Sequence, residues 1–304
     1  MKLTTTVLAT GLLLSAHSAS AGQPQYFGYY ANSGNTADNG DHTNITFIQT
    51  YSIPNQQDAI NLIFSELAQA KARNLKAVID VHKLLFTTGA NDSCPYKPNP
   101  GRVLQWNQFV DQLINQGYLV PNNPAASTVA AFYPVDEPEL CGLNDAKGPD
   151  GWTTRANPIL TEALSTVRWN ASTANVPIAA IVSARYSKPG TEGLTFGVRQ
   201  FNWVGLDNYG ANDDEYLKQI NQLKTRIDTN WQRVILVPQA ATNAPGLDGW
   251  PHTPQRMYDF ARADGSVVML MPFLWFHPQG LGTRDIPWMR AEYTRIGSEI
   301  KYVP

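Results

Sequence analysis

The sequence predicts an α/β chain folded as a single (β/α)8 TIM barrel. Eight short apolar runs, rich in β-branched and aromatic residues, alternate with amphipathic helical stretches. The runs are nearly continuous in apolar character, as expected of parallel strands covered on both faces. A doubly wound open sheet would carry a glycine-rich turn after its first strand. Gly28-Tyr29-Tyr30-Ala31-Asn32-Ser33 lacks that pattern.

The strands are expected at residues 26–31, 45–51, 77–82, 129–135, 178–183, 203–208, 234–238 and 267–273. Helices are expected at 55–74, 103–117, 156–169, 214–228 and 253–263. In the first, Ala59, Leu62, Ile63, Leu67, Ala70 and Ala72 nearly fill one face. In the second, Leu104, Trp106, Phe109, Val110, Leu113 and Ile114 do the same, and Gly117 is the stop. Thr253-Pro254 reads as an N-cap followed by a first-turn proline.

The chain has 304 residues, with 23 Lys and Arg against 25 Asp and Glu, a net charge of −2. That balance does not neutralise phosphates, so nucleic acid is not an expected partner. Lys2, the apolar run 7–14 and Ala19-Ser20-Ala21 read as a signal peptide over 1–21. The apolar run is far shorter than the roughly 20 residues that span a bilayer. The expected mature chain is residues 22–304, secreted or periplasmic, monomeric and with no membrane partner once the signal is removed. Cys94 and Cys141 are the only cysteines, and export makes a disulfide between them the expected outcome. It would tie the loop after strand 3 to the loop after strand 4.

In such a barrel the strand C-terminal ends build the site. Here those ends gather polar groups and aromatics, including Tyr29, Tyr51, His82, Tyr209 and Trp275. Core packing does not require that pattern. A site that bonds hydroxyls and stacks sugar faces does. Strand 4 ends in two adjacent carboxylates, Asp136 and Glu137. On an ideal strand they point to opposite faces, so a bulge at this end is expected to turn both inward. Close carboxylates raise one another's pKa, which suits a general acid. Glu139 reads as a surface residue. Asp207 leaves an apolar strand two positions around the barrel, roughly 9–10 Å of arc away. That approaches the carboxyl spacing of an inverting glycosidase, roughly 6.5–9.5 Å. Ser183 has no G-x-S-x-G elbow, and Asp80, His82 and His277 form no compact ligand motif. No metal and no cofactor is therefore expected.

Asp136-Glu137-Pro138 resembles the Asn-Glu-Pro of (β/α)8 glycoside hydrolases of the cellulase, mannanase and β-galactosidase clan. The resemblance implies an acid/base role for Glu137, with Asp136 in the place of a substrate-binding Asn. The clan's nucleophile is a Glu on strand 7, where this chain reads Val237-Pro238-Gln239-Ala240. The chain is most similar to poorly characterised members with Asp-Glu-Pro after strand 4, Asp-x-Tyr after strand 6 and Gln on strand 7. That implies a substrate-binding Gln239, and Asp207 or Asp136 as second carboxylate with Tyr209 beside it. Tyr29, His82 and Trp275 are the further candidate sugar contacts. The expected function is a secreted glycoside hydrolase acting on a poly- or oligosaccharide. The alternative is a carbohydrate-binding barrel that lost its strand-7 nucleophile and no longer catalyses.

Overall fold

The computed structural model describes residues 23–51, 53–89, 92–121, 123–143, 146–147, 154–184, 197–244, 247 and 249–302. The expected signal peptide over 1–21 lies outside them. Eight parallel strands form the barrel: β1 (Tyr26–Phe27), β2 (Ile45–Ile48), β3 (Lys76–Asp80), β4 (Val129–Tyr133), β5 (Ala179–Ser183), β6 (Trp203–Asp207), β7 (Arg233–Leu236) and β8 (Val267–Leu270). Regular pairing gives a five-stranded arc, β5 to β8 and then β1, and a three-stranded arc, β2 to β4. Two seams close the ring. Asn44 N–H donates to Phe27 O and Asn32 N–H to Phe47 O at β1–β2, and Phe132 bridges Ile178 at β4–β5. All eight expected strands are present, each one to four residues shorter than expected.

Alternation along the strands divides the core in two. Phe47, Val78, Tyr133, Ile181, Ile235 and Met269 fill the barrel interior. Phe27, Ile79, Phe132, Val182, Leu206 and Leu236 point outward to the helices. Gly205 on β6 is needed for this packing, because a Cβ there would lie 2.2 Å from Ile181 Cδ1.

The helices are α1 (Thr36–Asn39), α2 (Gln56–Ala72), α3 (His82–Leu85), α4 (Arg102–Asn115), α5 (Pro158–Trp169), α6 (Asp213–Lys224), α7 (Pro254–Ala263) and α8 (Pro287–Lys301). Asn55, Asn157 and Asn212 cap α2, α5 and α6 by accepting from first-turn N–H groups. Pro254 opens α7 as expected, although Thr253 makes no side-chain cap bond. Gly117 closes the α4 region in the left-handed conformation, φ +68°. Leu104 and Ala72 are exposed, so the buried faces of α4 and α2 are narrower than their apolar content suggests. Among the described residues no helix is long and apolar enough to cross a membrane. Cys94 and Cys141 are disulfide-bonded, with Cα atoms 5.2 Å apart, and join the loops after β3 and β4.

Candidate active site

The site is built on the C-terminal end of β4. Tyr133 points into the barrel, and its hydroxyl donates to Asp136 Oδ1. Asp136 N–H donates to Tyr51 Oη at 3.0 Å. The next residue, Glu137, has left-handed backbone angles, φ 39° and ψ 58°. For a residue with a Cβ this conformation costs about 1–2 kcal/mol, and such strain concentrates at functional sites. Glu137 N–H donates to Ile181 O at 3.0 Å, which pins the turn to β5. The bulge expected here is absent. The register shift between β3 and β4 lies near their other end, between Ala77 and Val78. The left-handed turn at Glu137 redirects the chain instead.

One 3₁₀ turn, Pro138–Cys141, follows. It brings Glu139 back onto β5, where Glu139 Oε1 accepts from Ser183 N–H at 2.6 Å. Glu139 is only 7% exposed, which corrects its reading as a surface residue. On β6, Asp207 pairs in register with that same Ser183. Four carboxylates thus converge over β4, β5 and β6. Asp136, Glu137 and Asp207 keep a partly accessible edge, while protein surrounds them on the remaining sides.

Crowding and burial raise the proton affinity of all four. Glu137 is pushed up to about 7 by burial first, then by Asp136 and Glu139. Glu139 also rises to about 7 through burial, against its bonds to Ser183. Asp207 is raised well above the aspartate range by burial, then by Glu137 and Asp136, and a Tyr209 hydrogen bond opposes the rise only in part. Asp136 is raised by burial too, but hydrogen bonds from Tyr133 and Tyr30 counter this. Aromatic rings line the mouth: Phe273 lies 4.4 Å from Tyr209 and 5.7 Å from Tyr30, centroid to centroid. The arrangement offers a carboxyl protonated near neutral pH, a neighbouring carboxylate that accepts from the Tyr133 hydroxyl, and flat apolar surface beside them.

No family model and no curated protein matches the chain. Solved structures do. A modular endo-β-1,4-mannanase from Cellulomonas fimi aligns at TM-score 0.51 and 13% identity, over 93% of this chain and 71% of that one. A putative α-L-fucosidase from Bacteroides thetaiotaomicron aligns at 0.53 and 10%, over 99% and 100%. A GH5-4 broad specificity endoglucanase from an uncultured bacterium aligns at 0.50 and 12%, over 93% and 86%. The chain shares the (β/α)8 fold of glycoside hydrolases.

Asp136, Glu137, Asp207 and Tyr209 come together as expected on this fold. The other sequence candidates are placed differently. His82 does not end β3. It heads α3, is fully buried, and faces a carboxylate at each ring nitrogen, with Nδ1 2.8 Å from Asp80 and Nε2 3.3 Å from Asp92. It has no edge to offer a sugar. Its ring stacks on Tyr51 at 4.7 Å, and so supports the tyrosine that holds Asp136. Gln239 is fully buried as well. Its Oε1 accepts from Gly210 N–H at 2.6 Å and its Nε2 donates to Ala241 O at 3.0 Å, so the side chain cross-ties loops. Tyr29 and Trp275 lie on the outer side of the barrel wall, ring to ring at 5.0 Å, with the Tyr29 hydroxyl 3.1 Å from His42 Nε2.

The inner-face positions beside those two are Tyr30 and Phe273, which the sequence reading missed. Counting by two from an inner anchor would have found both, since 26 and 30 share one face and 269, 271 and 273 another. His277 accepts from Gln279 N–H and stands apart from Asp80 and His82. Among the described residues, no group of three or more His, Cys, Asp or Glu is arranged to hold a metal ion. Arg185 and Tyr186, which follow the expected strand 178–183 in the sequence, lie outside the described residues.

Proposed function

We propose that the protein is a secreted glycoside hydrolase that cleaves a poly- or oligosaccharide, with Glu137 as general acid. The observation that carries this is the carboxylate cluster at the barrel mouth, in which Glu137 keeps its proton up to about pH 7. Glu137 gives that proton to the leaving glycosidic oxygen. Asp136, whose two tyrosine donors favour its anion, supports positive charge developing at the anomeric carbon. Asp207, in register with Ser183 on β6, is raised well above its ordinary range by burial and then by Glu137 and Asp136. Asp136 or Asp207 supplies the second carboxylate. The Cys94–Cys141 bond supports an oxidising compartment. Similarity to an endo-β-1,4-mannanase makes β-1,4-glycans the first probes.

The test is release of new reducing ends from a panel of polysaccharides. The parent protein cleaves at least one, and Glu137→Gln loses about 10²–10⁴-fold in turnover on it. Near-normal turnover in that variant refutes the assignment. The absence of a strand-7 carboxylate at Gln239 favours a second reading, a barrel that binds carbohydrate without cleaving it. That reading predicts calorimetric binding, unchanged in Glu137→Gln, and no product.

A further inference from the structure

Among the described residues four tryptophans are conspicuously exposed, and they divide by position. Trp169 ends α5 and Trp231 precedes β7, on the face opposite the site. Trp250, 87% exposed, and Trp288, 53% exposed, lie on the site face, after β7 and at the start of α8. These two line one cavity of about 370 Å³, with Leu281, Thr242 and Asn243. Its size falls in the range of small-ligand sites, about 300–1,000 Å³. Trp250 also lines an adjoining cavity of about 260 Å³, with Asn212, Asp213, Asp214 and Arg256. The indole therefore stands between two recesses that mix flat apolar surface with polar groups.

Its loop is anchored, so the exposure is preorganised. His252 is buried and exchanges two bonds with Gln239: its N–H donates to Gln239 O at 2.9 Å, and its Nδ1 accepts from Gln239 N–H at 2.8 Å. The His252 ring stacks on Tyr216 at 4.6 Å. Thr253 N–H donates to Asp213 Oδ1 at 3.1 Å. On the other side of Trp250, Gly249 has φ +89°, the left-handed region that favours glycine, and lies in van der Waals contact with Gly210. Gly210 follows Tyr209, the residue bonded to Asp207. The platform thus continues from the carboxylate cluster through one turn of chain. Gln239 holds both ends of that connection, through Gly210 and His252.

We propose that Trp250 and Trp288 form a distal binding platform for a neutral glycan chain that extends from the carboxylate cluster. This rests on the glycosidase reading above. Stacking on an exposed indole suits the apolar face of a pyranose ring, and the polar rim suits its hydroxyls. The polar recess carries Asp213 and Asp214 against Arg256, which already pairs with Asp214, so an acidic glycan is disfavoured.

The test uses the full-length mature protein with cellohexaose, mannohexaose and xylohexaose, and their disaccharides, in calorimetry and in hydrolysis. Trp250→Ala weakens hexasaccharide affinity about tenfold, and this loss exceeds its loss on the disaccharide. Trp250→Phe restores part of the affinity. Trp169→Ala, a surface control, behaves as the parent. Cleavage of a hexasaccharide that proceeds equally in parent and Trp250→Ala overturns the platform and leaves the glycosidase reading intact. Failure of the parent to bind any of these hexasaccharides overturns the platform, and absence of product across the whole polysaccharide panel overturns the glycosidase reading. A change of oligomeric state in Trp250→Ala with unchanged sugar affinity assigns the face to a second copy of the chain and overturns the platform.

Discussion

Replacing Glu137 by Gln removes a carboxyl that the fold holds unfavourably when charged. Its pKa rises from 4.5 to about 7 on folding. A raised carboxyl pKa means the folded state binds the proton more tightly than the unfolded chain. The corresponding stability is full below pH 4.5 and is lost as pH climbs through about 7. At 1.36 kcal/mol per unit, the parent loses about 3 kcal/mol from this group across that window. Glutamine does not titrate, so the variant keeps that stability. The stability gap between Glu137→Gln and the parent therefore widens by about 3 kcal/mol between pH 4 and pH 8.5. In melting temperature this is about 5–10 °C for a domain of this size. Thermal or urea unfolding followed by circular dichroism at both pH values measures it. A gap that does not change with pH would mean Glu137 titrates as an ordinary exposed carboxylate, and the crowded-cluster account would fall. The variant is expected to gain stability where it loses turnover, the trade-off common at strained active sites.

Further outcomes follow from the same geometry. The kcat/KM of the parent falls as pH rises through about 7, because Glu137 loses the proton it donates. A profile flat from pH 6 to 9 contradicts this. Tyr133→Phe removes a donor from Asp136, whose pKa then climbs further, so the acid limb of the pH–rate profile moves upward and turnover at pH 5 drops about tenfold. Gln239→Glu deletes the donor to Ala241 O in a buried pocket and costs about 2 kcal/mol with no gain in activity. A more active Gln239→Glu would show that this side chain does reach substrate. Cys94→Ser with Cys141→Ser opens a link spanning 47 residues and costs ~4 kcal/mol, read as a lower unfolding midpoint.

The strands were legible because each is buried on both faces, and that leaves a continuous apolar run whatever the register. The inner and outer faces were not, since a slip of one residue exchanges them. That slip separates Tyr29 from Tyr30. At the end of β8 the sequence points to Trp275, while the inward ring is Phe273. The short helices α1 and α3 span four residues each, too few to show a helical period. His82 therefore looks, in the sequence, like the end of a strand. Helix α8, absent from the expected helices, carries a sequence signal all the same, with Pro287 at its start and Met289, Tyr293, Ile296 and Ile300 on one face. Asp136, Glu137 and Asp207 stood out because carboxylates directly follow apolar strands. Glu139 did not, because only the turn after Glu137 folds it back to Ser183. Gln239 looked like a site residue by position along β7, yet its partners, Gly210 and Ala241, become neighbours only when the loops fold.

The proton donated by Glu137 is the centre of the account, and leaving-group dependence isolates it. Once the polysaccharide panel has identified the sugar, its dinitrophenyl glycoside departs with little need of an acid, whereas the natural linkage does not. Glu137→Gln is expected to lose about 10²–10⁴-fold in kcat/KM on the natural linkage and far less on the activated glycoside. An equal loss on both substrates, or no loss on either, would contradict Glu137 as the general acid.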